Sequence, residues 1–143
     1  MRAHHVHVEH DFTQPVERVF AFLAEHENLG AIFSPLRVER ACDGQTERNG
    51  VGSARRLSVF GLMPFVETVS AVVPNERIVY NITKGGPMKD HEGVMAFSTP
   101  PSGGSHLDYR IRFASAVPGL APIVARAVKR SILQGLKKVD KAA

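Results

Sequence analysis

A long amphipathic segment at the C-terminal end is the feature that most constrains how this chain can fold. The spacing of its apolar residues predicts one helix from Pro122 to Val139, about 27 Å long. Its predicted inner face is a single stripe: Leu120, Val124, Ala127, Val128, Ser131 and Gly135. The members at 127, 131 and 135 are small. Such a stripe indicates either a closely packed neighbour or a roof over an empty space.

The composition is that of a folded protein with a sizeable core. The chain has 143 residues, of which 43% are hydrophobic, and this length favours a single domain spanning residues 1–143. Cys42 is the only cysteine, so no intrachain disulfide can form, and we expect a cytoplasmic protein. No segment has the pattern of a signal peptide or of a membrane span. We therefore expect no stable insertion into a membrane.

The net charge of +4 comes mostly from lysines and arginines near the C-terminal end. Nucleic-acid-binding proteins usually have a broader basic patch with interleaved aromatic residues, and the predicted last helix has no aromatic residue. We interpret these charges as a solvated helix face and expect no nucleic-acid partner. Leu133 is a single apolar residue on that outer face, which makes a homodimer an open alternative.

Short alternating segments occupy most of the remaining chain. Val6, Val8 and Phe12 share one face of a first strand, and residues 14–35 have the apolar spacing of two short helices, the second at 29–33. Six further strands are predicted at 36–43, 53–60, 64–73, 76–84, 91–99 and 105–114. Their short connections require a mostly antiparallel sheet. The dry face of that sheet needs a cover, and only the last helix is long enough to provide it.

Four short motifs add a resemblance to this order of elements: PVERVF at 15–20, the Asn28–Leu29 step, Gly50–Gly52 and PNERI at 74–78. With them the whole chain resembles the START-like superfamily, also called SRPBCC, which includes birch-pollen-allergen-like and polyketide cyclase/dehydrase-like proteins. The resemblance implies an α+β helix-grip fold: a curved seven-stranded antiparallel sheet wrapped around the C-terminal helix, with two short helices between strands 1 and 2. It also implies a cavity for apolar molecules. Where relatives often carry Trp, this chain has Phe33, and it contains no tryptophan.

Strand alternation and the implied fold together predict the walls of that cavity. We expect the ligand-binding residues to be Phe33, Arg56, Met63, Tyr80, His91, Met95, Phe97, Tyr109, Leu120, Val124, Ala127, Val128 and Ser131. Arg56 is included because one residue of the Arg55–Arg56 pair should point inward or to the mouth, where it could hold an acidic headgroup. Met63 lies at an apolar hairpin tip and suits an entrance. His91 or Ser131 would fix the orientation of the ligand.

His91, Tyr80 and Glu67 are candidate acid–base groups, and none has a firm catalytic assignment. Alternation places His91 and Tyr80 inward, but it leaves the inward faces of strands 53–60 and 64–73 undecided. We favour the binding of a small hydrophobic ligand such as a lipid, polyketide or quinone. Several converging titratable groups would instead favour a polyketide cyclase/dehydrase-like enzyme. A second alternative is an interaction module that docks a partner or a membrane surface.

No motif in the sequence indicates a cofactor or a metal. The chain has no glycine-rich phosphate loop and no Gly-x-Ser-x-Gly. His5 and His7 lie two residues apart and could hold a metal ion together with Glu9. We favour a solvated strand face with unconnected histidines, so we expect no metal and a small hydrophobic molecule as the ligand.

Overall fold

The computed structural model describes residues 1–143 and contains seven strands and three helices. In chain order the elements are β1 (His4–Phe12), α1 (Val16–Ala24), α2 (His26–Ile32), β2 (Leu36–Cys42), β3 (Ala54–Val59), β4 (Leu62–Val73), β5 (Arg77–Gly85), β6 (Met88–Ser98), β7 (Ser105–Ser115) and α3 (Leu120–Ala142). All neighbouring strands pair antiparallel, in the order β1-β7-β6-β5-β4-β3-β2. The α+β helix-grip fold predicted from the sequence is confirmed.

Tight turns and bulges give the sheet its connectivity and its curvature. Phe60 and Gly61, between β3 and β4, have φ angles of 51° and 74°, and two positive values suit a two-residue hairpin turn. Asn75, between β4 and β5, also has a positive φ of 63°. The β3–β4, β4–β5 and β6–β7 ladders each contain a register shift. Such bulges bend a sheet, and here the bent sheet holds α3 on its inner side.

The inner face of the sheet is apolar, as the alternation predicts. The β1–β7 edge buries a continuous set of side chains: Val6, Val8, Phe12, Leu107, Tyr109, Ile111 and Phe113. Helix α3 packs against β1, and its Leu136 and Val139 are fully buried. Leu133 is exposed on the opposite side of the helix, so the homodimer stays a prediction. No helix combines the length and the apolar character needed to cross a membrane.

The C-terminal half of α3 is closely packed. It buries four residues: Ile132, Gly135, Leu136 and Val139. A Cβ atom at Gly135 would lie 2.5 Å from the carbonyl oxygen of Ile32 and 2.6 Å from the Phe33 ring. Of the two alternatives for the small stripe, Gly135 therefore fits the closely packed neighbour and does not leave space for a ligand, because glycine here lets α3 approach the end of α2.

Two helix boundaries differ from the sequence prediction. Helix α2 begins at His26 and not at residue 29. Glu25, in an extended conformation, is the only residue between the end of α1 at Ala24 and the start of α2. The side-chain amide of Asn28 donates to the carbonyl of Phe22, which ties the two helices together across this break. Helix α3 begins at Leu120 and continues to Ala142. Both helices are therefore longer than predicted.

Candidate functional site

A cavity of about 310 Å³ lies between the sheet and the N-terminal half of α3. Its volume is at the lower end of the range for small-molecule sites. The helix contributes a row of residues that are not buried: Val124, Ala127, Val128 and Ser131. Apolar side chains such as Leu57, Phe65 and Ile82 form much of the opposite wall. This half of α3 therefore roofs an accessible space.

Most of the residues that the sequence placed in the cavity do line it. They are Phe33, Met63, Tyr80, His91, Tyr109, Val124, Ala127, Val128 and Ser131. Met95 and Phe97 do not, because they belong to the packed core, where Phe97 makes an edge contact with Phe20. Leu120 is half-buried at the first position of α3 and also lies outside the lining.

The expected inward arginine was assigned to the wrong residue. Arg56 is exposed on the outer face of the sheet, opposite Glu39 of β2, whereas Arg55 is only 4% exposed and lines the cavity. The sequence contained a signal for this choice. Arg55 alternates with Leu57 and Val59, and both of those residues also line the cavity.

Polar side chains from five consecutive strands of the sheet form one wall of the cavity: Arg55, Glu67, Tyr80, His91 and Tyr109. Arg55 Nε donates to Glu67 Oε1 at 2.8 Å, and both side chains are buried. Glu67 therefore faces inward, on the side that the alternation left undecided. The guanidinium also lies 4.6 Å from the centre of the Tyr80 ring. Burial alone would lower the pKa of Arg55, but Glu67, Tyr80 and Tyr109 together outweigh burial, and the pKa is raised.

Tyr80 and Tyr109 share a hydrogen bond between their hydroxyl groups. Burial raises the pKa of both phenols, so both remain protonated near neutral pH. Gly93 pairs with Tyr80 across the β5–β6 ladder, and a Cβ atom at Gly93 would overlap the Tyr80 ring. Glycine is thus required at that position for the Tyr80 ring to keep its place.

The hydrogen bonds of His91 fix its tautomer. Nδ1 accepts the backbone N–H of Ile82 at 3.0 Å, so the proton of the neutral ring is on Nε2. Nε2 lies 3.7 Å from Glu67 Oε2, beyond normal hydrogen-bond distance. Burial lowers the pKa of His91, although Glu67 opposes the shift. His91 therefore presents a neutral N–H donor to the polar wall.

His26 is a buried member of this network that the sequence did not indicate. Arg55 Nη1 donates to His26 Nδ1 at 3.2 Å. His26 Nε2 in turn donates to Ser53 Oγ at 2.9 Å, and Ser53 Oγ donates to the carbonyl of Gly50 at 2.7 Å. Burial, together with the charge of Arg55, lowers the pKa of His26 to about 4. The neutral imidazole of His26 thus fixes the position of the Arg55 guanidinium by accepting a hydrogen bond from Nη1. No sequence pattern indicates this role.

Two other predicted polar groups have different surroundings. Ser131 Oγ donates to the carbonyl of Ser34 at 2.9 Å, so the hydroxyl proton is already used in tying α3 to the loop after α2. On the outer face of the sheet, His7 lies 3.1 Å from Asp108, and together with Glu9 these side chains are close enough to surround a metal ion. His5 is not part of that group. The group of His7, Glu9 and Asp108 is separate from the cavity wall, because its side chains lie on the opposite face of the sheet.

Comparisons with known proteins agree with this architecture. Residues 3–143 match a family model described as polyketide cyclase / dehydrase and lipid transport. A START superfamily protein from Mycobacterium smegmatis is 14% identical with a TM-score of 0.78, over 97% of this chain and 96% of that chain. The Zhui aromatase/cyclase from Streptomyces sp. R1128 is 22% identical with a TM-score of 0.76, over 99% and 93% of the two chains. Ara h 8.0201 is 13% identical with a TM-score of 0.71, over 99% and 97%.

At these identities the likeness to solved structures shows the fold alone. The search of curated proteins gives no match. The match to the family model extends over nearly the whole chain, from the first strand to the end of α3. This protein therefore belongs to the family of polyketide cyclase/dehydrase and lipid transport proteins.

Proposed function

We propose that this protein binds a small hydrophobic molecule between the sheet and the N-terminal half of α3. The observation that carries the proposal is the cavity itself, which is apolar except for one wall built around Arg55, Glu67 and His91. Apolar walls supply affinity, and a few fixed polar groups set orientation, as in most small-molecule sites. The family description, which includes lipid transport, is consistent with an apolar ligand.

Two experiments test the proposal: detection of a bound ligand, and substitutions that fill the cavity. Native mass spectrometry of the protein from cells that express it should detect a retained small molecule. The purified protein should also enhance the fluorescence of 1-aminoanthracene, an apolar probe. Ala127→Phe places a ring inside the cavity and should abolish the enhancement, as should Ser131→Phe.

Leu133→Phe is the matched control, because it adds the same ring to the exposed side of α3. It should leave the fluorescence enhancement intact. Equal probe binding by the Ala127→Phe and Leu133→Phe variants, with both folded by circular dichroism, would show that the ligand is not held in this cavity.

Titratable groups do converge in the cavity, where His91 Nε2 lies 3.7 Å from Glu67 Oε2, and this convergence supports a second candidate function: proton transfer of the kind that a cyclase or dehydrase needs. With a ketone in the cavity, the Glu67 carboxylate would take a proton from the carbon next to the carbonyl. The electron pair of that C–H bond would form the new carbon–carbon double bond, and the π pair of the carbonyl would move onto its oxygen. His91 Nε2–H and Arg55 would stabilise the resulting enolate oxygen by hydrogen bonding.

The exchange of 2-tetralone hydrogens with D₂O, followed by NMR, tests this second function. Exchange at the activated CH₂ should be faster with the protein than in buffer and should fall to the buffer rate with Glu67→Gln. Bound 2-tetralone that exchanges only at the buffer rate would leave the protein a binder without this chemistry.

A further inference from the structure

We infer that the polar wall selects a ligand whose buried polar end is an uncharged oxygen acceptor, a ketone or quinone carbonyl, in preference to a carboxylate. The inference rests on the proposed function, because it names the class of molecule held in the same cavity. It follows from which hydrogen bonds of the wall remain free and from how its charges balance.

Arg55 has a donor group that the protein does not use. Its Nε is bonded to Glu67 and its Nη1 to His26, while Nη2 makes no hydrogen bond to the protein. No buried side-chain nitrogen or oxygen of the structure lacks a partner, so Nη2 must be accessible. Because Arg55 lines the cavity and is otherwise buried, that access is from the cavity. Two N–H bonds in fixed positions are thus available to a ligand.

Two further donors belong to the same wall. His91 Nε2–H is fixed by the backbone bond on Nδ1, and its nearest acceptor, Glu67, is 3.7 Å away. One hydrogen bond joins the hydroxyls of Tyr80 and Tyr109, which leaves the hydroxyl proton of one tyrosine without a partner. Glu67 Oε2 is the main free acceptor. The wall therefore has more free donors than acceptors, and a complementary ligand group must accept.

The charges of the wall already balance. The Arg55 guanidinium is paired with the Glu67 carboxylate at 2.8 Å. Both phenols stay neutral because burial raises their pKa, and burial keeps His91 neutral by lowering its pKa. A ligand carboxylate would add an uncompensated negative charge near Glu67 in a mostly apolar cavity, which is costly. A carbonyl oxygen accepts the same hydrogen bonds without that charge. The acidic headgroup expected for an inward arginine thus fits poorly once Arg55 has Glu67 as its partner.

Three probes with one carbon skeleton test this selectivity. Fluorene, 9-fluorenone and fluorene-9-carboxylate are each used to displace 1-aminoanthracene at pH 7.5. The ketone should bind about tenfold more tightly than fluorene, because it accepts a hydrogen bond from a charged donor. The carboxylate should bind more weakly than fluorene. A ketone that binds no more tightly than fluorene, or a carboxylate that binds most tightly, would overturn the inference.

Glu67→Gln should change which probe the cavity prefers. The substitution is isosteric and keeps an acceptor for Arg55 Nε, but it leaves the guanidinium charge uncompensated. The affinity ratio of fluorene-9-carboxylate to fluorene should then rise at least about tenfold relative to the unmodified protein. Loss of packing alone would not reverse this ratio, so an unchanged ratio in a folded variant contradicts the inference.

The two levels of proposal fail differently in this experiment. If fluorene displaces 1-aminoanthracene but the three probes show no preference, the ligand class is wrong and the cavity remains a binding site. If neither fluorene nor 1-aminoanthracene binds, the proposed function fails and the inference fails with it.

Discussion

The two halves of α3 differ in what they pack against. From Ile132 onward the helix is part of the core, where Leu136 and Val139 are fully buried. Before that point only Ala121 is buried, and Val124 and Val128 face a cavity of about 310 Å³. One helix therefore carries both a packed half (132–142) and a roof half (120–131). We expect the packed half to determine stability and the roof half to determine binding.

The comparison also shows that a small residue on a helix can mark either a close contact or the edge of a cavity. Gly135 is small because the carbonyl of Ile32 and the ring of Phe33 occupy the space that a side chain would need. Ala127 belongs to the same predicted stripe, eight residues before Gly135, yet it borders the cavity. The two positions are alike in sequence and opposite in environment. What decides between them is the bend of the sheet and the position of α2, neither of which is a local property of α3.

The largest expected effect separates the two halves by stability. Leu136→Ala removes a fully buried side chain and should lower the free energy of unfolding by about 2–5 kcal/mol, because it leaves a new void. Val128→Ala, in the roof half, enlarges an existing cavity and should cost less than about 1.5 kcal/mol. Urea denaturation followed by circular dichroism measures both. Equal costs would contradict the division of the helix.

Acidification should affect the polar wall before the packed half. The pKa of His26 is about 4 when folded and near 6.5 when unfolded, so below pH 6.5 the unfolded chain binds more protons. The stabilising contribution is complete above pH 6.5 and is lost as the pH falls to about 4, by up to ~3 kcal/mol. His91 acts in the same direction, whereas the raised pKa of the partly buried His106 acts in the opposite one.

His26→Gln provides the control for this pH dependence. Glutamine can still accept from Arg55 and donate to Ser53, but it does not titrate. Urea denaturation at pH 7.5, 5.5 and 4.5 should therefore show a shallower fall in stability for the variant. Glu25 also loses its stabilising contribution on acidification, but only as the pH falls from about 4.5 to about 2, and it does so equally in both proteins, because its pKa is lowered from 4.5 to about 2 by Arg48. An identical fall in both proteins would show that His26 is not the group that titrates.

Much of the fold was accessible from the sequence because it depends on local patterns. The alternation of Leu107, Tyr109, Ile111 and Phe113 assigned the inner face of β7 correctly, and the same rule placed His91 in the cavity wall. The motifs of the resemblance then supplied the arrangement of sheet and helix. Turns, alternation and helix periodicity are all set by residues close together in the chain.

The polar wall was less accessible because it depends on packing between distant elements. Arg56 was chosen although Arg55 shares the parity of Leu57, since adjacent charged residues obscure which face of a strand is dry. His26 has no sequence signature at all, because its burial results from α2 packing on the sheet beside Ser53. The role of such a residue can be recognised only from a three-dimensional structure that shows which residues it contacts.

A smaller effect is expected when a methyl group is added at the closest helix contact. Gly135→Ala should destabilise the protein by about 1–3 kcal/mol, because its Cβ would meet a backbone carbonyl that cannot rotate away. Gly30→Ala in α2 is the matched control: the nearest atoms there are 3.4 Å away, and alanine favours the helix. Thermal unfolding should show a lower Tm for the first variant only. If both variants keep the parent Tm, the close approach at residue 135 is not a constraint.

The smallest effect concerns the end of the packed half. Asp140 accepts the backbone N–H groups of Thr13 at 3.0 Å and of Gln14 at 3.2 Å, immediately before α1. Its carboxylate lies near the positive end of the α1 dipole, so Asp140→Asn should cost about 0.5–1 kcal/mol while keeping one acceptor oxygen. Lys138→Gln, at an exposed position on the same helix, should cost less than about 0.5 kcal/mol. A cost for Asp140→Asn no larger than that of Lys138→Gln would show that the packed half is held by apolar burial without this anchor to α1.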